Sequence, residues 1–175
     1  MIDYSTTQLI TDTELEYIDT LSDKSTFFKT TGRQYSVYEL NDYDKNIFLT
    51  KILKWVESIT DVKLNNYNSN LYDSYLINYN EGDFFSKHKD NDYLKNGVVR
   101  KFVVGFHLYC NYTGGDFVLY ENVKQTNILN NAGVVYLFDS DVEHEVLPIE
   151  TGLRKSIVIF INTEHIISNN PKSII

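Results

Sequence analysis

The chain has 175 residues, of which 42% are hydrophobic and 23% are charged, so it is large enough for one domain with a core of its own. The formal net charge of −8 disfavours nucleic-acid substrates, because phosphate binding depends on clustered lysine and arginine. A single cysteine, no leader pattern at the start and no apolar run near the ~18 residues of a membrane span predict a soluble protein in a reducing, cytoplasmic location.

The first third of the chain, about residues 1–70, is predicted to form a helical buttress. Thr11 or Asp12 can cap a first helix, and residues 43–59 place apolar side chains at helical spacing in a second, longer helix. Between these helices, residues 35–40 are predicted to form a strand.

From about residue 71 the pattern changes to short runs of Tyr, Val, Ile and Phe separated by Asn, Asp and Gly. These runs predict strands at residues 75–79, 102–109, 116–120, 133–138 and 156–161. Many short strands at close spacing predict a mainly β fold, a sandwich or jelly roll, with the helices packed on its outside. No composition shift marks a boundary, so we expect one domain over residues 1–175 with its β core at about 71–163.

Two histidines and one carboxylate form a candidate metal site. His88 and Asp90 are two residues apart, and on a strand such residues project to the same side. His144 follows another predicted strand and a polar turn, and can supply a third ligand. Two histidines and one carboxylate leave open positions on the ion, which is typical of non-haem Fe(II) oxygenases and less so of zinc sites.

Arg154 begins an apolar strand, where a guanidinium without an anionic partner is costly. A dicarboxylate co-substrate would supply that partner through two parallel hydrogen bonds. Ser156 lies on the same side of the strand and can add a hydroxyl donor. The adjacent Lys155 is the alternative anchor, but strand alternation points its side chain to the other layer.

Five pieces of sequence occur in an order that resembles one known enzyme family. They are YNEGDFF at 79–85, HKD at 88–90, YTGGDF at 112–117, FDSD at 138–141 followed by His144, and GLR at 152–154. Together they cover about residues 75–162 and resemble the prolyl 4-hydroxylase-like branch of the Fe(II)/2-oxoglutarate-dependent dioxygenases. The joint order makes the resemblance specific, since each piece alone is a weak signal.

The resemblance implies a double-stranded β-helix with helices around it, in which His88, Asp90 and His144 hold iron and Arg154 binds the 5-carboxylate of 2-oxoglutarate. It also implies that Tyr79 donates its hydroxyl to 2-oxoglutarate. His107 falls where related enzymes often place a tyrosine that contacts the co-substrate, which makes it a further candidate near that site.

The implied reaction uses Fe(II), O2 and 2-oxoglutarate, with ascorbate as a supporting reductant, and releases succinate and carbon dioxide as a substrate C–H bond is hydroxylated. Proline or another residue of a polypeptide is the first expected substrate. The polar segment at residues 91–100 is a candidate cover over the substrate.

Other functions remain open at this point. A nucleic-acid base hydroxylase or a small-molecule hydroxylase would use the same iron centre, and the first of these would be expected to show a basic substrate groove. The small basic cluster around Lys95, Arg100 and Lys101 is interpreted as a solvated loop face instead. A non-enzymatic β-helix binding protein would be expected to lack one of the ligands, yet all are present.

Overall fold

The structure is a computed structural model that describes residues 5–60, 62–64, 72–91, 98–109, 111–121, 124–128 and 130–167. Most of the expected substrate cover, residues 92–97, and Lys95 of the basic cluster lie outside the described residues. The helices are α1 (Asp12–Asp19), α2 (Asp42–Asn46) and α3 (Leu49–Ile59), with 3-10 turns at Ser22–Lys24 and Thr163–His165. The strands are β1 (Ser5–Gln8), β2 (Thr26–Lys29), β3 (Arg33–Glu39), β4 (Lys63–Leu64), β5 (Ser74–Tyr79), β6 (Phe84–His88), β7 (Arg100–His107), β8 (Tyr112–Gly114), β9 (Phe117–Glu121), β10 (Lys124–Ile128), β11 (Val134–Asp139), β12 (Glu143–Val146), β13 (Ile149–Gly152), β14 (Arg154–Asn162) and β15 (Ile166–Ile167).

Among the described residues, eleven strands join in one antiparallel sheet. Ten of them follow the order β1-β11-β7-β14-β5-β3-β6-β12-β9-β10, and β2 pairs with β3. Strand β3 connects two parts of the sheet, since Ser36–Glu39 pair with β5 while Arg33 and Gln34 pair with β6. The sheet curls into a half-barrel of antiparallel strands, and the predicted mainly β, jelly-roll fold class is confirmed.

The outer face of the sheet packs against the helices and is entirely hydrocarbon at its centre. Val104 and Phe106 on β7 and Ile157 and Ile159 on β14 are fully buried there. The Phe106 ring meets Phe48 edge to face, with 5.4 Å between ring centroids. Burial of such side chains contributes roughly 1.5–3 kcal/mol each, so this layer is the main source of stability.

The inner face of the same strands is aromatic and polar. Alternation along β11 and β14 directs Tyr136, Phe138, Arg154 and Ser156 inward, while their sequence neighbours face the helices. Gly105 on β7 makes room for this layer, because a Cβ there would overlap the Tyr136 hydroxyl and a backbone carbonyl of β14. The inside of the half-barrel is therefore shaped as a cavity.

The N-terminal third differs in part from its prediction. Thr11 is the cap of α1 and forms a capping box with Glu14, but the single helix expected at 43–59 is two helices, α2 and α3. Phe48 breaks the run because its φ of −126° is not helical, and its ring is buried against the sheet. Strands β1, β2 and β3 also lie in this third and belong to the main sheet, so it is not only a helical buttress.

No helix within the described ranges combines the length and apolar character that a membrane span requires.

Candidate metal centre and co-substrate cavity

The three candidate metal ligands meet at one end of the cavity. His88 is the last residue of β6 and lies opposite His144 of β12 in the register of the two strands. Asp90 lies two residues beyond the end of β6, where its backbone N–H donates to the Ser140 carbonyl at 2.9 Å. The metal-binding atoms of the three side chains lie within 4.8 Å of one another. The distances are 3.3 Å from His144 Nε2 and 3.7 Å from His88 Nε2 to the Asp90 carboxylate.

Backbone carbonyls orient both imidazoles for metal binding. His88 Nδ1 lies 2.8 Å from the Ser86 carbonyl oxygen, and His144 Nδ1 lies 3.0 Å from that of Val142. A carbonyl only accepts, so each Nδ1 carries the proton and each Nε2 keeps its lone pair for an ion. Hydrogen bonds of this kind hold the ligand rings in histidine metal sites. The donor set and its orientation thus fit a divalent iron ion.

The surroundings keep His88 and Asp90 in the protonation states that a metal needs. Burial lowers the pKa of His88, and the nearby His144 lowers it further, so the neutral ring is favoured. Burial alone would raise the pKa of Asp90, but the neighbouring His144, His88 and Arg100 lower it overall, so the carboxylate form is favoured. Phe85 stacks on the His88 ring at 3.7 Å between centroids, which shields the site from water on that side.

Arg154 lies in the same cavity, which has a volume of about 320 Å³. Its side chain is 1% exposed, and Nη1 donates to Ser156 Oγ at 3.1 Å. Among the described residues no carboxylate lies within 4 Å of the guanidinium, and its Nε has no partner. A fully buried guanidinium without a counter-charge is costly, so this geometry favours an anionic ligand that completes the site.

Lys155 points away from the cavity, as the alternation of β14 predicts. Its Nζ lies 2.5 Å from the Asp19 carboxylate of α1, on the helical side of the sheet. Arg154 and Ser156 therefore share the inner face, and Lys155 is already paired on the outer one.

Of the two remaining predicted residues, Tyr79 lines the cavity and His107 lies behind its wall. Tyr79 lines the cavity beneath Arg154, whose guanidinium carbon lies 5.1 Å from the ring centroid, and burial raises the pKa of its hydroxyl. His107 is fully buried beside the Tyr136 ring but is not among the described residues that line the cavity. Neither His107 nitrogen has a hydrogen-bond partner among the described residues, and burial, with the charge of Arg154, lowers the pKa of His107 well below the usual range.

Two arginines of the cavity wall were missed by the sequence interpretation. Arg100, interpreted as part of a solvated loop face, lines the cavity and lies 4.0 Å from Asp90. Arg33, on β3, lines it as well. The composition contained a signal for them, because the chain has three arginines, Arg33, Arg100 and Arg154, and all three line this cavity.

Comparison with known proteins gives a family match over the β core. The family model described as the 2OG-Fe(II) oxygenase superfamily matches residues 74–162, just over half of the chain. An uncharacterized protein of Fowlpox virus (strain NVSL) is 34% identical in an alignment of 93 residues that covers 49% of this chain and 19% of that protein. The match thus spans about a fifth of the length of this curated relative.

Several solved structures share the fold at low sequence identity. A prolyl-4-hydroxylase of Pseudomonas putida is 16% identical with a TM-score of 0.71, covering 90% of each chain. The viral collagen prolyl hydroxylase of Paramecium Bursaria Chlorella virus-1, in a 2OG complex, is 15% identical with a TM-score of 0.70, covering 92% of this chain and 96% of that one. A Trichoplax adhaerens prolyl hydroxylase, in complex with a hypoxia inducible factor peptide fragment, is 17% identical with a TM-score of 0.69, covering 90% and 82%.

Proposed function

This chain belongs to the 2OG-Fe(II) oxygenase superfamily, and from that premise we propose that it hydroxylates a C–H bond of peptidyl proline or of another protein residue, with release of succinate and carbon dioxide. Membership of this superfamily supports the activity of a 2-oxoglutarate-dependent dioxygenase. The proposal adds the substrate, the products and the roles of individual residues.

The proposed iron ligands are His88, Asp90 and His144. An iron ion held by these residues would activate O2, the oxidant, for conversion of 2-oxoglutarate to succinate and carbon dioxide and for hydroxylation of the substrate. The protein's own part is positional. The Ser86 and Val142 carbonyls hold the two imidazoles with Nε2 toward the shared space, and the Phe85 ring covers one side of His88.

The observation that carries the proposal is the pairing of this ligand set with Arg154 in one cavity. The guanidinium offers two parallel N–H donors, and a carboxylate accepts them in the same plane. We assign Arg154 to the 5-carboxylate of 2-oxoglutarate, since it has no counter-charge among the described residues. Ser156 and Tyr79 border the guanidinium and are assigned as hydroxyl donors to the same ligand.

His107 is proposed to act on the co-substrate site from behind its wall. It lies opposite Ser156 in the register of β7 and β14 and contacts the Tyr136 ring, which lines the cavity. The neutral imidazole of His107 adds no positive charge beside Arg154. It can therefore support the Tyr136 ring and the Ser156 hydroxyl without changing the charge that binds a carboxylate.

A peptide substrate is supported by the fold neighbours and by the charge of the chain. One neighbour is a complex with a peptide fragment. The net charge of −8 works against a polynucleotide, whose binding depends on many phosphate contacts.

The test is a coupled assay with the purified full chain. Protein, Fe(II), ascorbate and 2-oxoglutarate are incubated with a panel of proline-containing peptides and oligonucleotides, and succinate is measured together with a mass gain of one oxygen. We expect both signals with at least one peptide and neither with the His144→Ala control. Salt-sensitive oxidation of an oligonucleotide with no activity on any peptide would overturn the proposed substrate.

A further inference from the structure

The cationic residues of the cavity are all arginines. The chain has three arginines and thirteen lysines, and Arg33, Arg100 and Arg154 all line this one cavity, whereas none of the described lysines does. Of the chain's acidic residues, Asp90 is the one found among the described lining residues. The cavity is therefore locally positive, although the protein as a whole is acidic.

Arg33 lies at the metal end of this cavity and is held by aromatic rings. Its guanidinium carbon is 4.7 Å from the Phe28 ring centroid and 5.3 Å from that of Phe85, which in turn stacks on His88. No carboxylate of the described chain lies within 4 Å of it. Stacking on aromatic rings orients the planar guanidinium group and leaves its N–H groups available to a ligand.

Arg100 is a second guanidinium near the same ligands. Its guanidinium carbon lies 3.9 Å from the Phe160 ring centroid, and the Asp90 carboxylate is 4.0 Å away, beyond hydrogen-bond distance. Its side chain is 21% exposed, whereas Arg154 is 1% exposed. Arg100 is thus nearer to solvent than Arg154.

This inference rests on the proposed function, in which Fe(II) and 2-oxoglutarate fill the cavity. With these ligands bound, the positive and negative charges in the cavity do not cancel. The two positive charges of Fe(II) and the two negative charges of 2-oxoglutarate offset each other. Asp90 offsets one of the three guanidiniums, so a surplus of about two positive charges remains beside the metal. Uncompensated charge in a partly buried cavity favours a ligand of opposite sign.

We propose that the substrate is a peptide with an acidic residue next to the hydroxylated residue, and that Arg33, assisted by Arg100, binds the acidic side chain. Two guanidiniums that line one cavity can both bind a carboxylate, whereas a polynucleotide needs a longer track of cations than the three arginines that line this cavity. Arg33 then determines substrate specificity, and it does not take part in holding iron or 2-oxoglutarate.

The test compares three peptides that differ only in the residue after the target proline, which is Asp, Asn or Lys. Arg33 is partly exposed, so its charge is partly screened, and we expect kcat/KM for the Asp peptide to exceed that for the Asn peptide by about three- to tenfold. Arg33→Gln should remove this preference, and Arg33→Glu should shift it toward the Lys peptide. Lys29→Gln is the matched control, because Lys29 is exposed on the neighbouring strand β2 and does not line the cavity.

A binding measurement without turnover separates this inference from the proposed function. The same peptides are titrated under nitrogen into protein loaded with Fe(II) and 2-oxoglutarate, and tighter binding of the Asp peptide that Arg33→Gln abolishes supports the inference. Equal binding and equal rates for Asp and Asn peptides, with succinate and hydroxylation still observed, would overturn it and leave the proposed function intact. Absence of succinate with every peptide would instead count against the proposed function.

Discussion

The two faces of the sheet formed by β5, β14, β7 and β11 are made by alternate residues of the same strands, yet they differ in kind. On the outer face, Phe106 and Ile157 pack among hydrocarbon side chains beneath the helices. On the inner face, Arg154, Ser156 and His107 are as deeply buried, but they are polar, and several of their atoms have no partner within the described chain. The outer face stabilises the fold, and the inner face is arranged for ligands that are polar themselves.

The comparison predicts the largest loss of activity at the metal end of the inner face. His144→Ala removes one proposed iron ligand and no hydrocarbon of the outer core. Changes to residues that only orient a metal ligand cost 10–100-fold, so loss of the ligand itself should lower turnover by more than about a hundredfold. Succinate formation measures this, and thermal unfolding of the metal-free variant should stay near that of wild type. Wild-type succinate formation by this variant would exclude His144 from the site.

The largest loss of stability is predicted on the outer face. Phe106→Ala empties a fully buried position next to Phe48 and should lower the free energy of unfolding by about 3–5 kcal/mol. Urea unfolding measures the change. At low temperature, where the variant is still folded, its affinity for 2-oxoglutarate should remain close to that of wild type. A specific loss of 2-oxoglutarate affinity in the folded variant would mean that the two faces are not separable.

His107 gives a smaller effect that depends on pH. Burial, with the charge of Arg154, lowers its pKa in the folded protein, whereas in the unfolded chain it titrates near 6.5. Above that pH the ring is neutral in both states; below it only the unfolded state gains the proton, so stability falls as pH falls. Between pH 7 and pH 5 the loss is at most about 2 kcal/mol, the limit for a ring that stays neutral in the folded state.

The measurement is urea unfolding of the metal-free protein at both pH values, with His107→Gln as the comparison. On acidification the free energy of unfolding of the variant should fall less than that of wild type, by at most about 2 kcal/mol. Equal acid losses in the two proteins would show that His107 is accessible to protons in the folded state.

Much of the inner face could be predicted from the sequence, because it follows from the two-residue period of strands. The positions of Arg154 and Ser156 on one side and Lys155 on the other depend on local alternation alone, and the structure places them so. The pairing of His88 with His144 needed the family resemblance, since 56 positions of chain separate them and only the sheet register brings them together.

Other parts depend on curvature that no local pattern encodes. Arg33 reaches the cavity because β3 pairs with both β5 and β6 as the sheet curls. The polar sequence STTQ of strand β1 is typical of a loop. It forms a strand because it pairs with β11 at the edge of the sheet. The break at Phe48 results from burial of its ring against β7, although the apolar spacing there is helical.

The most direct test compares Arg154→Ala with Lys155→Ala, two neighbours whose side chains lie on opposite faces of β14. Titration of 2-oxoglutarate into the Fe(II)-loaded protein should show a loss of roughly ten- to a hundredfold in affinity for Arg154→Ala, because a charge-assisted bidentate contact of about 1.5–3 kcal/mol is removed. Lys155→Ala removes a partly exposed ion pair with Asp19, so it should cost at most about 1 kcal/mol of stability and leave the 2-oxoglutarate affinity unchanged. The opposite result, with Lys155→Ala abolishing 2-oxoglutarate binding and Arg154→Ala sparing it, would contradict the assignment of the inner face as the ligand-binding face.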